Sequence, residues 1–202
     1  MRLEKIFFKG ALLSLVVLTG CAGPRVTRTE VEKTIDLSGR WNDSDSRLVA
    51  EEMIQDCLAR PWINAFNEKY RREPVVIVGT VVNRSYEHID AQLFIKNLER
   101  NLLNSGKVKF VASRQERPEL REEREDQASG TTEPQTIKPK GHETGADFMV
   151  QGTIHSIKDE IKGRYVILYQ VNLELVDLTT NQKAWIGQKE IKKVVAKSKY
   201  SL

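Results

Sequence analysis

The stretch Pro74-Val75-Val76-Ile77-Val78-Gly79-Thr80-Val81-Val82 decides the fold. Its β-branched side chains suit a pleated strand, and the run shows no polar alternation. A strand of that kind is covered on both faces, at the centre of a sheet. Downstream, Asp90 is placed to cap a helix whose inward face is Ala91, Phe94, Ile95, Leu98 and Leu102. Asn104-Ser105-Gly106 ends that helix, and a short strand from Val108 to Val111 follows. Upstream, Leu48, Val49, Met53, Ile54, Cys57 and Leu58 recur at helical spacing. Pro61 suits the first turn of a second helix carrying Ile63, Phe66 and Tyr70.

The last third reads as β structure. Phe148 to Ile157 forms one strand, with Gly163 in the turn after it. Tyr165, Ile167, Tyr169, Val171, Leu173 and Leu175 alternate as a half-buried second strand. Thr179 to Gln182 turns the chain into a third, Ala184 to Val195. Short turns between sequential strands give an antiparallel meander. The Lys-rich end, Lys189 to Lys199, reads as the charged outer face of an edge strand. Between the two halves, 114–127 is dense in mixed charge, as in a solvated helix, and 130–144 reads as a mobile excursion. The expected fold class is α/β (α+β): a small mixed sheet with a C-terminal antiparallel three-stranded meander, flanked by helices.

The amino terminus carries its own signal. Arg2, Lys5 and Lys9 precede an apolar stretch from Ala11 to Leu18, too short to span a bilayer. Leu18-Thr19-Gly20-Cys21 resembles the bacterial lipoprotein box. That resemblance implies cleavage before Cys21 and lipidation of its thiol, the side chain nucleophilic enough to accept the group. Several acyl chains together make a stable anchor where one binds only marginally. Ala22, in place of the Asp that retains such proteins in the inner membrane, implies sorting to the outer membrane, facing the periplasm. Residues 1–20 are thus the signal peptide, 21–38 the lipidated terminus and a short polar tether, and 39–202 a single domain. Loss of the leader removes three basic residues and one acidic, leaving 29 against 27, a net charge of +2 on 182 residues. Such a balance offers no electrostatic footprint for nucleic acid.

No catalytic or metal site and no cofactor is indicated. His88, His142 and His155 stand in no ligand motif. Elbow, phosphate-loop and Cys–His signatures are missing, and Glu51-Glu52 and Glu122-Glu123 lie in solvent-facing contexts. Cys57, without a partner once Cys21 is lipidated, is expected to be a small buried apolar residue.

Three stretches carry a family resemblance: Val78-Gly79-Thr80-Val81-Val82-Asn83-Arg84-Ser85 with Leu103 to Val111, Thr144-Gly145-Ala146-Asp147-Phe148-Met149-Val150-Gln151-Gly152, and Leu175 to Trp185. Their order and spacing resemble the LpoB-type outer-membrane lipoproteins that activate penicillin-binding proteins, over about residues 75–195. The resemblance implies a fold similar to the N-terminal domain of TolB and a non-enzymatic role. Its implied partner is a class A penicillin-binding protein, the bifunctional peptidoglycan synthase, with the membrane reached through the lipid and the domain monomeric. Arg84 and Tyr86 are the expected partner-binding residues, being types enriched at hot spots and leaving the end of the central strand. Asn83 and Ser85 between them fit turn chemistry. The tether is shorter and poorer in Pro than in well-known members, and 46–72 and the 114–146 insertion add to the family pattern. An oligomeric envelope-assembly or secretion-associated lipoprotein with a related α/β core is the alternative. Cys21→Ser is expected to block processing and to abolish incorporation of labelled palmitate; normal processing and membrane fractionation of that variant would refute the anchor.

Overall fold

The computed structural model describes residues 26–196; the expected leader, Cys21 and the end of the Lys-rich tail lie outside the described residues. The chain divides into two compact units, 1–33 and 34–202. In the first, the described residues 26–33 are exposed and include a turn closed by Lys33 N–H on the Glu30 carbonyl at 3.2 Å. All the described helices and strands belong to the second. In order these are α1 (Asp43–Leu58), α2 (Trp62–Tyr70), β1 (Val75–Asn83), α3 (Ala91–Asn104), β2 (Lys109–Phe110), α4 (Arg117–Asp126) with a π-helical turn (Gln127–Thr131) after it, β3 (Phe148–Ile161), β4 (Arg164–Asp177) and β5 (Lys183–Ala196).

One mixed sheet runs in the order β2-β1-β3-β4-β5. β1 pairs in parallel with β2 and β3, and β3, β4 and β5 form the antiparallel meander. β1 is an interior strand as the valine run requires, but the middle position belongs to β3, because the meander adds two strands beyond it and only the two-residue β2 lies outside β1. The hairpin strands also extend beyond their apolar alternation. β3 runs on to Ile161, where ladder hydrogen bonds to β4 persist although its side chains are exposed.

One face of the sheet carries the main core. Val76 and Val78 of β1, Phe148, Val150 and Ile154 of β3, the odd positions Ile167 to Leu175 of β4, and Trp185 of β5 are buried there. α3 packs on β1, and α1 on α3 and β5. Each such side chain contributes roughly 1.5–3 kcal/mol when fully buried. Trp62 and Phe66 of α2 meet Phe148 edge-on, at 4.9 and 5.5 Å between ring centroids. Cys57 is fully buried under this layer, and burial pushes its thiol up to about 12, so it is unreactive. Gly152 permits the tight β3–β4 approach, since a Cβ there would lie 2.1 Å from the Asn172 carbonyl oxygen.

α1 begins earlier than its apolar periodicity suggests. The Asn42 side chain accepts from Asp45 N–H at 3.0 Å, and the Asp45 carboxylate accepts from Asn42 N–H at 2.9 Å, a reciprocal capping box. Asp45 also receives Lys193 of β5 at 2.6 Å, and Lys193 reaches Asp36 at 2.7 Å and the Arg40 carbonyl at 3.1 Å. β5 is an edge strand, yet Lys193 is not on a solvated face: its side chain is 10 % exposed, and Lys189 pairs with Glu52 of α1. The domain's contacts thereby include Asp36 and Gly39, on either side of the sequence boundary at residue 39.

The start of the parallel pair is clamped by Asp147. Its Oδ2 accepts from Val75 N–H at 2.8 Å, its own N–H donates to the Val75 carbonyl at 2.7 Å, and Arg72 grips both carboxylate oxygens at 2.7 Å. The Arg72 guanidinium holds the Asp147 carboxyl below the usual carboxylate range against the opposing effect of burial.

The 114–146 insertion folds back over the other face of the sheet, where Ile77 of β1 and Met149 of β3 are register partners. Its ends are clipped by charge. Lys96 of α3 binds Glu116 at 2.6 Å, and Glu143 receives Arg121 at 2.9 Å and Arg124 at 2.7 Å. Hydrogen bonds from those cations take Glu116 and Glu143 to about 2 each.

Two outcomes follow from these contacts. Asp147→Ala should lower unfolding free energy by about 2 kcal/mol, because the half-buried Val75 N–H loses its acceptor. Arg72→Ala should cost clearly less than Asp147→Ala, since that guanidinium is exposed to solvent screening; chemical denaturation of both variants measures the difference. Glu116 and Glu143 are depressed in the folded state, so their stabilising effect is complete above the unfolded carboxylate range and is lost as pH falls from about 5 to about 2. Amide exchange in α4 should therefore rise over that window before exchange in β3 and β4 does.

Candidate functional site

β1 ends at Asn83, and the chain leaves the sheet as the loop 84–89 before α3. Exposure alternates along it: Arg84, Tyr86 and His88 are exposed, whereas Asn83, Ser85 and Glu87 are half-buried. The half-buried residues hold the loop. Asn83 Oδ1 accepts from Ser85 N–H at 2.9 Å and from Ser85 Oγ at 2.7 Å, and Asn83 Nδ2 donates to the Glu87 carbonyl at 2.8 Å. This is the turn chemistry expected of Asn and Ser. Arg84 N–H extends the ladder by donating to the Ile154 carbonyl at 2.7 Å.

Glu87 fixes the loop to the core, a role sequence reasoning missed. One carboxylate oxygen accepts from the Tyr169 hydroxyl at 2.8 Å and the other from Trp41 N–H at 3.2 Å. The Tyr169 hydroxyl also lies 3.0 Å from the Gly39 carbonyl. Burial, reinforced by Glu87, raises the Tyr169 phenol far above its ordinary range, so it stays a neutral donor. Trp41 meets Tyr169 and Phe94 edge-on at 5.5 and 6.4 Å. Residues 39–41, the loop and the middle of β4 therefore form one hydrogen-bonded unit.

Tyr86 is 55 % exposed and borders a cleft of about 410 Å³ with Trp41, His88, Lys158, Glu160 and Tyr165. Lys158 lies over the Tyr165 ring at 4.7 Å and bonds Glu160 at 2.5 Å. Partial burial and the nearby Glu87 carboxylate raise the Tyr86 phenol. Arg84 shares the loop but not the cleft wall. Lys158 and Tyr165 arrive from a hairpin some seventy residues downstream, and only sheet register places them here. The geometry offers an aromatic surface with mixed charge on an anchored backbone, suited to holding a partner.

Among the described residues no three His, Cys, Asp or Glu side chains are grouped to hold a metal. His142 lines a separate cavity beside Glu143, and His155 lies 3.0 Å from the Thr153 hydroxyl on the open face of the sheet. No helix among the described residues is long and apolar enough to cross a membrane.

No curated protein sequence matches the chain significantly. Among solved structures it is similar to the LpoB C-terminal domain from Escherichia coli at 15 % identity, with 65 % of this chain and 98 % of that one covered and a TM-score of 0.37. The corresponding domain from Salmonella enterica gives 16 % identity, 65 % and 93 % coverage, and a TM-score of 0.34. The PelC L103M dodecamer from Paraburkholderia phytofirmans gives 14 %, 61 % and 73 %, and 0.35. A family model described as the peptidoglycan-synthase activator LpoB matches residues 45–191, from the start of α1 into β5. The chain belongs to the LpoB family.

Proposed function

We propose that this protein is an outer-membrane lipoprotein that binds a class A penicillin-binding protein and activates it, thereby regulating peptidoglycan synthesis. Membership of a family of peptidoglycan-synthase activators carries this reading, because the match spans most of the folded domain. It is a regulatory role: the partner supplies the catalysis. An activator raises its partner's rate only by binding the active conformation better than the idle one. A coupling of about 1–3 kcal/mol corresponds to roughly 5–150-fold in the partner's equilibrium.

In this reading the acyl chains on Cys21 hold the domain at the membrane. The tether available between Cys21 and Thr34 is 22–33, which at full stretch reaches about 40 Å. Arg84 and Tyr86 are the docking residues. Both are exposed on a loop whose backbone is fixed from beneath by Asn83, Ser85 and Glu87, so little ordering entropy is lost when a partner is met.

One observation favours the second reading, an oligomeric envelope-assembly component. Ile157, Ile161, Ile186 and Val194 stand exposed on the sheet face away from α1 and α3. Light scattering separates the two, a stable large ring supporting assembly and a monomer supporting the activator.

The full lipidated chain, mixed with the class A synthase of its own species, should bind it and speed glycan polymerisation several-fold. Tyr86→Ala and Arg84→Ala should each weaken binding about tenfold or more while leaving thermal unfolding unchanged, since neither side chain is buried. No binding and no rate change with any such synthase would refute the proposal; unaltered binding by both variants would refute this docking loop alone.

A further inference from the structure

The insertion borders a second cavity, open to solvent and separate from the loop at Tyr86. It has a volume of about 400 Å³ and lies between α4 with residues 142–146 and the sheet face away from α1 and α3. Ile77 and Met149 form its floor, with Val111 beside them. Leu120 of α4 and Leu178 at the β4–β5 turn face the space and remain 45 % and 43 % exposed. Leu178 is held there because its N–H donates to the Asp147 carbonyl at 2.9 Å.

The charge on this wall is sorted. Arg117, Leu120, Arg121 and Arg124 fall on one side of α4 at helical spacing, Glu119, Glu122, Glu123 and Asp126 on the other, and Glu125, between the two groups, pairs with Lys140. Arg121 and Arg124 share the single carboxylate of Glu143. Arg117 donates its Nε–H to the Ala112 carbonyl at 3.2 Å and has no carboxylate partner among the described residues. The cavity therefore has an apolar floor and, at its edge, a guanidinium with donors in a planar fork that matches a carboxylate. At about 30 Å³ for each water-sized share of volume, it has space for roughly a dozen heavy atoms.

We propose that this cavity binds a single-chain acyl carboxylate, its chain on Ile77, Met149 and Leu178 and its head group on Arg117. The inference is independent of any synthase partner. Burial of the exposed Leu120 and Leu178 surface would supply the attraction, and Arg117 would select the anion over an uncharged head.

The test uses the full chain in amphipol, with labelled methyl groups on Ile, Leu and Met observed by NMR during titration. Decanoate should shift the Ile77 and Met149 methyl signals saturably, with an affinity about tenfold above that of decan-1-ol. Arg117→Gln should bring decanoate down to the level of decanol and leave decanol binding unchanged. Should that variant fail to fold, 0.5 M salt applied to the unmodified chain should weaken decanoate and spare decanol. Absence of a saturable shift at those methyls, equal affinity for the two ligands, a preference that survives R117Q, or an equal response to salt would each overturn the proposal.

Discussion

The parallel pairing of β1 with β3 is the constraint on which the remaining structure depends. It joins residues some seventy positions apart, and Asp147 closes it by bonding Val75 through both backbone and side chain. From that fixed start, Val76 and Val78 are aligned with Phe148 and Val150 on the helix side, and Ile77 with Met149 on the other. The alternation is then carried across β4 and β5 by antiparallel register. Gly79 and Thr80 of β1 stand opposite the single Gln151 of β3, so one extra residue forms a bulge between Val78 and Val81 and bends the strand before it delivers the loop.

Both proposed sites are consequences of that pairing. At the far end of β1, the loop bearing Arg84 and Tyr86 is fixed by Glu87 to Tyr169 and Trp41, so the outward residues rest on core rather than on a free turn. On the opposite side, Ile77 is buried and Met149 half-buried beneath the insertion, and the space left between them and α4 is the arginine-edged cavity. A family scaffold is thus given two distinct surfaces, one by a short loop and one by an insertion.

Much of the fold was legible. The valine run, the helix face from Ala91 to Leu102 and the alternation from Tyr165 to Leu175 follow from period and β-branching alone, and each corresponds to an observed element. The capping box has a local signature too, Asn42 followed three residues later by Asp45, although the apolar periodicity begins only after it. Less accessible was Lys193. In a run of lysines nothing local separates the one that lies beneath α1, paired with Asp36 and Asp45, from those in water. The sorted charges of α4 have helical period, but that period does not say which side meets the sheet.

The amino-acid order by itself determined the kinds and sequence of the elements and the turn chemistry of Asn83 and Ser85, because these act over a few residues, and the expectation of a lipid anchor at Cys21 rests on that order alone. Tertiary structure decided what Tyr86 and Arg117 face. Lys158 and Tyr165 reach Tyr86 through strand register, and Met149 and Leu178 reach α4 through the return of the insertion. Local chemistry sets the conformation of a segment, but which segments meet is fixed only when buried apolar faces compete for one core.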